Sequence, residues 1–342
     1  MRTGAGRMSP RAIAAGSAAM TEIAERLRFE QLNPAFGRVF KPGRLTIGLV
    51  VPVENYAVGA NPTMARHAEL ADLAEQLGFA ALWVRDIPFD VPSFGDVGQM
   101  FDPFAYLGFL AARTERIALG TASIVLPLRH PAHVAKSAAS IDQLSGGRML
   151  LGVASGDRPD EYPAMAIDYY GRGEAFRESF EYIRKMGEER PTFANSLGEL
   201  SGALDMLPKP FASRIPMLVT GGSQQDREWV ARRSDGWMVY PRPTPQLEQV
   251  IAVYRQDVAR TADFDRPVMH PLYFDALPEG SRGAQSLHLG LRSDLATLRD
   301  YLASLEAVGV NHVALNLRFN RLPIETTLKR LAAEVLPLFQ EL

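Results

Sequence analysis

The chain reads as an α/β protein built as a (β/α)8 TIM barrel with an N-terminal helical arm and an insertion after strand seven. Three observations predict it. Short β-branched runs alternate with longer runs of helical period along nearly all of the 342 residues. The strand-like runs are apolar throughout, as in a parallel sheet covered on both faces. Eight such strand–helix pairs follow one another, which most simply closes a sheet on itself. The competing architecture is an open doubly wound sheet, which rarely needs eight regular units.

Each element has a local reason. Leu45–Val51 (LTIGLVV) is a buried strand. Thr63–Gly78 is a helix with Thr63 as cap, one apolar face through Leu70, Leu73, Ala74 and Leu77, and Gly78 in the position of a terminating glycine. Ala80–Arg85 is strand two, and Asp102–Thr114 a helix with Pro103 in its first turn. Ile117–Val125 is strand three, followed by a helix over Pro131–Ser145. Arg148–Ala154 is strand four, followed by a helix over Gly173–Glu189. The rhythm resumes with strands at Pro216–Gly221, Gly236–Tyr240, Pro267–Phe274 and His312–Phe319. Their helices are Ser223–Ser234, Thr244–Arg260, Ser293–Gly309 and Ile324–Gln340.

Two segments interrupt this pattern. Thr192–Phe211 is a long connector with room for an extra strand or hairpin. Asp275–Gly290 is polar and glycine-bearing, and is expected to be a mobile excursion, either a lid or simple disorder. No linker splits the chain, so the expected division is an arm over residues 1–42 and a barrel over residues 43–342. The alanine-rich start continues into the polar, helix-favouring TEIAERLRFEQL and is read as that arm rather than as a signal peptide.

Composition narrows the function. Formal net charge is −2 with 46% hydrophobic and 22% charged residues, so bulk electrostatics point to neither nucleic acid nor a membrane surface. No run reaches the roughly 18 apolar residues of a membrane helix. Cysteine is absent, which removes disulfides and thiolate chemistry and suits a cytoplasmic location. No histidine pair has metal-ligand spacing with an acid beside it, so no metal site is expected.

In such a barrel the site forms from loops at the carboxyl ends of the strands. These loops carry Asn55 and Tyr56 after strand one, and Arg85 and Asp86 after strand two. Ala122, Ser123, Arg129 and His130 follow strand three, and Ser155, Gly156, Asp157 and Arg158 strand four. Gly221, Gly222 and Ser223 follow strand five. The TGGSQQD stretch suggests an anion site: two glycines admit a ligand to the backbone, and Ser223 opens a helix whose amides favour phosphate. The same stretch also reads as a plain cap. Arg158 suits a phosphate or carboxylate, or a surface pair with Asp157 or Asp160. His130 suits proton transfer, or packing at a helix start. Arg85 and Asp86 at the end of an apolar strand suit catalysis or substrate binding, or a salt bridge across loops.

The stretch LGTASIVLPLRHPAHVAKSAASIDQLSGGRMLLGVASG, with GFAALWVRD before it and PMLVTGGSQQDREWVARRSDGWMV after it, strongly resembles the bacterial luciferase-like monooxygenases. The likeness runs from about Leu45 to the C-terminus. It implies FMN, or in one branch the deazaflavin coenzyme, at the barrel mouth. It also implies a cis peptide at Ala122–Ser123, a phosphate contact at Gly221, Gly222 and Ser223, and flavin contacts at Ser155 and Gly156. Asn55 and Arg158 complete the expected cofactor contacts. Luciferases proper carry histidines after strand two, where this chain has Arg85 and Asp86; luciferase-type proton chemistry and light emission are therefore not expected. Asp86, His130 and Arg85 are the catalytic candidates.

The implied activity is a flavin-dependent monooxygenase using reduced FMN and O2 on a small organic substrate. The alternatives are a deazaflavin-dependent dehydrogenase or reductase, a non-catalytic flavin-binding protein, and a phosphate-binding lyase or isomerase without flavin. No dinucleotide fingerprint is present, so electrons are expected from a separate flavin reductase or from transient NAD(P)H. A homodimer is expected, with the arm available to wrap a neighbour.

Overall fold

The computed structural model describes residues 32–56, 61–94, 98–262 and 264–340. Eight strands form the barrel: β1 (Thr46–Val50), β2 (Ala81–Val84), β3 (Ala118–Thr121), β4 (Met149–Ala154), β5 (Met217–Thr220), β6 (Gly236–Met238), β7 (Val268–Ala276) and β8 (His312–Asn316). Every neighbouring pair is parallel. The ring closes through β6–β7, where Val268 faces Trp237, and through β8–β1, where Thr46 faces His312. The expected barrel is therefore the observed one.

Helices follow the strands in turn: α1 (His67–Gln76), α2 (Pro103–Arg113), α3 (Pro131–Leu144), α4 (Arg172–Met186), α5 (Arg227–Arg233), α6 (Thr244–Thr261), α7 (Leu295–Ala307) and α8 (Ile324–Glu334). Alternation along each strand divides its side chains between two cores. Leu82, Leu119, Leu151 and Val219 pack outward against the helices, while Trp83, Ala118, Leu150 and Leu218 fill the barrel interior. That double burial is why the strands read as unbroken apolar runs.

Several boundaries move, each for a local reason. Thr63 does not cap α1; the helix starts at His67, because the Glu54 carboxylate takes the Thr63 and Met64 amides. Gly78 does close it, at φ 87°. Strand three is interrupted at the cis Ala122–Ser123 bond, after which Ile124 and Val125 pair with Val153 and Ala154 of β4. Thr192–Asn195 and Gly198–Ser201 form a separate antiparallel hairpin in the long connector. Buried Arg148 holds the turn before β4, donating Nε to the Ser145 carbonyl at 2.8 Å. Its guanidinium donates to carbonyls at the end of α2 and just beyond it, those of Ala111, Thr114 and Ile117.

The segment after β7 is no loose excursion. β7 runs on to Ala276, and residues Ala284–Leu287 and Gly290–Ser293 form an antiparallel hairpin whose second strand pairs in parallel with Tyr273–Ala276.

Residues 1–31 of the expected arm lie outside the described residues. Within its last residues a short helix, Pro34–Val39, stops the amino end of the barrel. Phe36 and Phe40 are fully buried and cluster with Trp83, Leu150 and Met269. Asn33 caps this helix and donates to the Met149 carbonyl at 2.7 Å.

At the same end, buried His312 has both ring nitrogens engaged. Thr46 donates its hydroxyl proton to the Val39 carbonyl, so its oxygen accepts from His312 Nδ1–H at 2.7 Å. Trp83 Nε1 donates to His312 Nε2 at 2.9 Å. This arrangement requires the neutral ring, and burial pushes the His312 pKa down to about 3.

Candidate active site

A cavity of about 810 Å³ opens at the carboxyl ends of the strands. Its floor is apolar, from Val50, Met238 and Met269, with Ser123 and Thr220 hydrogen-bonded to each other above Met238. The expected site residues Arg85, Asp86, Ala122, Ser123, Ser155, Gly156, Arg158, Gly221, Gly222 and Ser223 all line it.

Two expected residues do not. Asn55 is exposed and off the cavity wall. His130 caps α3, its Nδ1 accepting from the Ala132 amide at 3.2 Å, and faces a separate outer groove with His133 and Asp102. The reason is the path after β3: the added strand at Ile124–Val125 and a single helical turn at Leu126–Leu128 carry the chain over the rim before residue 130.

Asp86 lines the cavity but is already committed. Its carboxylate accepts from Arg129 Nε at 2.9 Å and Nη2 at 2.7 Å, and from the Val125 amide at 3.1 Å. Its side chain is 2% exposed. This is the cross-loop salt bridge, not a free catalytic acid. Arg85 keeps its place on the wall, with Nη2 reaching the Tyr56 hydroxyl at 3.4 Å.

The β4 and β5 loops are tied together. Gly156, at φ 80°, sits where a Cβ would come within 2.6 Å of the Tyr162 hydroxyl, so glycine is required there. The Ser155 amide donates to Ser223 Oγ at 3.3 Å, and Ser223 Oγ donates to the Thr220 carbonyl at 2.8 Å. The Ser223 hydroxyl is thus spent on structure.

Nor does Ser223 open a helix. Helix α5 begins at Arg227, and the Asp226 carboxylate caps it by accepting from the Trp229 amide at 2.7 Å. The anion donors lie instead in the turn before it. Gly221, Ser223 and Gln224 have φ of 55°, 45° and 61°. Such a turn directs successive amides into one concavity, a nest. Among the described residues the Gly222, Ser223 and Gln224 amides have no hydrogen-bond acceptor.

Arg172, which the sequence reading passed over, completes this wall. It opens α4 and lines the cavity, and the helix start abuts the turn so closely that a Cβ on Gly173 would lie 2.8 Å from Gln224 Cβ. Its guanidinium stacks on Tyr169 at 3.8 Å and donates Nη1 to the Tyr169 carbonyl at 2.9 Å, while Nε is buried without an acceptor. Arg158 lies over the Phe94 ring at 4.4 Å. Behind it, the buried Glu161 carboxyl is pushed up to about 7 by burial, opposed by Arg158 and reinforced by Asp86 and Asp157. Unaccepted amides, an orphaned guanidinium nitrogen and a large concave cavity together fit a phosphate-bearing flavin.

Fold and site together define a (β/α)8 barrel with a large cavity at the carboxyl ends of its strands. Residues 45–310 match the model of the luciferase-like monooxygenases, and the chain belongs to that family. An uncharacterized protein of Mycobacterium tuberculosis (strain H37Rv) is 31% identical over 266 residues, covering 73% of this chain and 93% of the relative. Among solved structures, an F420-dependent secondary alcohol dehydrogenase aligns at TM-score 0.72 with 18% identity, covering 87% of this chain and 100% of that one. The FMN-bound oxygenating constituent of 3,6-diketocamphane monooxygenase from Pseudomonas putida aligns at 0.68 with 14% identity, covering 86% and 98%. At these identities the structural likeness concerns the fold. Among the described residues no helix is long and apolar enough to cross a membrane, and no cluster of metal-binding side chains occurs.

Proposed function

We propose that the protein is a monooxygenase that binds reduced FMN at the barrel mouth and acts with O2 on a small, largely apolar organic substrate. The observation that carries this reading is the β4–β5 wall. There, residues 222–224, whose amides have no acceptor among the described residues, and Arg172, whose buried Nε has none, line one cavity. Bound reduced flavin would supply the electrons and the reaction with O2. The chain's own residues hold the phosphate at that wall, support the cofactor through Ala122 and Ser123, and exclude water with the apolar floor. Ile87, Phe94, Leu272 and Phe319 give the remaining wall its apolar character. A separate flavin reductase as electron donor and a homodimeric assembly belong to the same reading.

The test is titration of the purified protein with FMN, riboflavin and the deazaflavin coenzyme, followed by fluorescence quenching. Turnover is then assayed with reduced cofactor and a panel of alicyclic ketones and secondary alcohols. Tight FMN binding and oxygen-dependent product support the proposal. Preference for the deazaflavin with hydride transfer to or from an alcohol would replace it by the dehydrogenase reading. Binding of neither would refute both.

A further inference from the structure

We propose that His288 is the acid–base residue of this site, exchanging a proton with the bound substrate; this rests on the oxidoreductase reading above. Redox chemistry on an organic substrate is assisted when a positioned side chain takes up or releases a proton near neutral pH. Histidine is the side chain whose ordinary titration falls there.

The chain has six histidines, and five are placed elsewhere. His67 lies 3.2 Å from the Tyr106 hydroxyl within an aromatic cluster that includes Phe101 and Phe109. His130 and His133 face the outer groove. His270 is fully buried and does not line the cavity. His312 is sealed in the barrel floor by Thr46 and Trp83. His288 alone lines the cavity, and it is exposed at the rim, so a proton it accepts can pass on to solvent.

The backbone aims it. His288 and Leu289 form the two-residue tip of the hairpin after β7, with Leu289 at φ 50°. The Tyr273 amide of β7 donates to the Leu289 carbonyl at 3.1 Å. A Cβ on Gly290 would lie 2.2 Å from the Tyr273 carbonyl oxygen, so the tip sits directly against β7 and glycine is required. At the base, the Gly283 amide donates to Asp294 Oδ2 at 2.9 Å. Buried Asp275 lies within 3.4 Å of Arg292 and 3.3 Å of Arg321. A strand pairing and these ties hold a single histidine over the cavity mouth.

The other titratable and charged groups on the wall come from every side. Tyr273 lies within β7, while Tyr240 and Arg318 follow β6 and β8, the strands on either side of it. Asp157, Arg158, Tyr169 and Arg172 belong to the β4 side, and Arg85 with Asp86 to β2. Asp86 is held by Arg129, and the arginines cannot act as bases. Asp157 is the remaining carboxylate on the wall, and it belongs to the β4 side rather than to the hairpin.

The experiment compares wild type with His288→Ala and His288→Asn, using the cofactor and substrate identified as above. Turnover in His288→Ala is expected to fall on the order of 100-fold. FMN affinity should stay within about threefold of wild type. The kcat–pH profile is expected to lose a limb, and added imidazole should restore part of the rate to His288→Ala but not to His288→Asn. As a readout independent of turnover, the His288 imidazole NMR signal, assigned by its loss in His288→Asn, should shift when FMN is added. Turnover of His288→Ala close to wild type, or an unchanged pH limb, overturns the proposal while leaving the flavin reading intact. Failure of the wild type to bind either coenzyme overturns the flavin reading and this proposal together.

Discussion

Replacing Arg172 by methionine tests the anion wall where it makes its strongest commitment. Methionine keeps the apolar stem against the Tyr169 ring, on which the guanidinium stacks at 3.8 Å, so packing is largely retained. What is lost is a half-buried guanidinium whose Nε has no acceptor within the described residues. A hydrogen bond to a charged group contributes about 1.5–3 kcal/mol. At about 1.4 kcal/mol per tenfold, the dissociation constant for FMN should rise roughly 10- to 150-fold. Riboflavin has the same ring system without the phosphate, so its affinity should change little. The assay is quenching of flavin fluorescence by wild type and Arg172→Met, with both ligands, at fixed ionic strength. Equal weakening for FMN and riboflavin would place Arg172 against the ring or in the fold. No change for either would remove it from the site.

Other expectations follow from the same geometry. Gly222→Asp should abolish FMN binding, because it sets a carboxylate among the phosphate donors. Gly222→Ala should largely preserve binding, since its Cβ meets only the Gln225 carbonyl at 3.3 Å; titration of both separates charge from bulk. Asp86→Asn should cost about 3 kcal/mol in denaturant unfolding by breaking a buried pair, while flavin binding survives. Loss of turnover at unchanged stability would instead restore Asp86 as a catalytic group. For His312 the folded pKa lies near 3, below the ordinary 6.5, so unfolding binds a proton and stability falls as pH drops through 6.5 towards 3. At pH 5 this amounts to about 2 kcal/mol, and the stability gap between wild type and His312→Asn should narrow by that much from pH 7 to pH 5.

The barrel was legible because its signals are local. Apolar runs, Gly78 after α1 and Pro103 at the start of α2 each act within a few residues, and the same residues do those jobs in the fold. What could not be read was decided across the chain. Sequence leaves Asp86 open between catalysis and a cross-loop salt bridge because its partner, Arg129, lies 43 positions away. His130 was assigned to the mouth because it follows a strand, but a two-residue strand and a helical turn carry it outside. The hairpin after β7 was hidden by composition: its first strand is exposed, and only pairing to Tyr273–Ala276 makes its partner part of the sheet. Arg172 and His288 are single residues whose meaning depends on which loops meet.

The two ends of the barrel impose one direction on any chemistry within it. At the amino end, Phe36, Phe40 and Trp83 are fully buried, and His312 uses both nitrogens internally, so among the described residues this end is closed by packed side chains. The large cavity opens at the carboxyl rim. There the strand order puts the anion wall of β4 and β5 diametrically across from β8 and β1, with the β7 hairpin between them on one flank. A cofactor anchored by its phosphate at that wall leaves the rest of the mouth to the substrate, and the hairpin tip is the part of the rim that carries a titratable imidazole. The backbone ties that fix Leu289 and Gly290 to Tyr273 hold the proposed proton-exchanging imidazole at that open end.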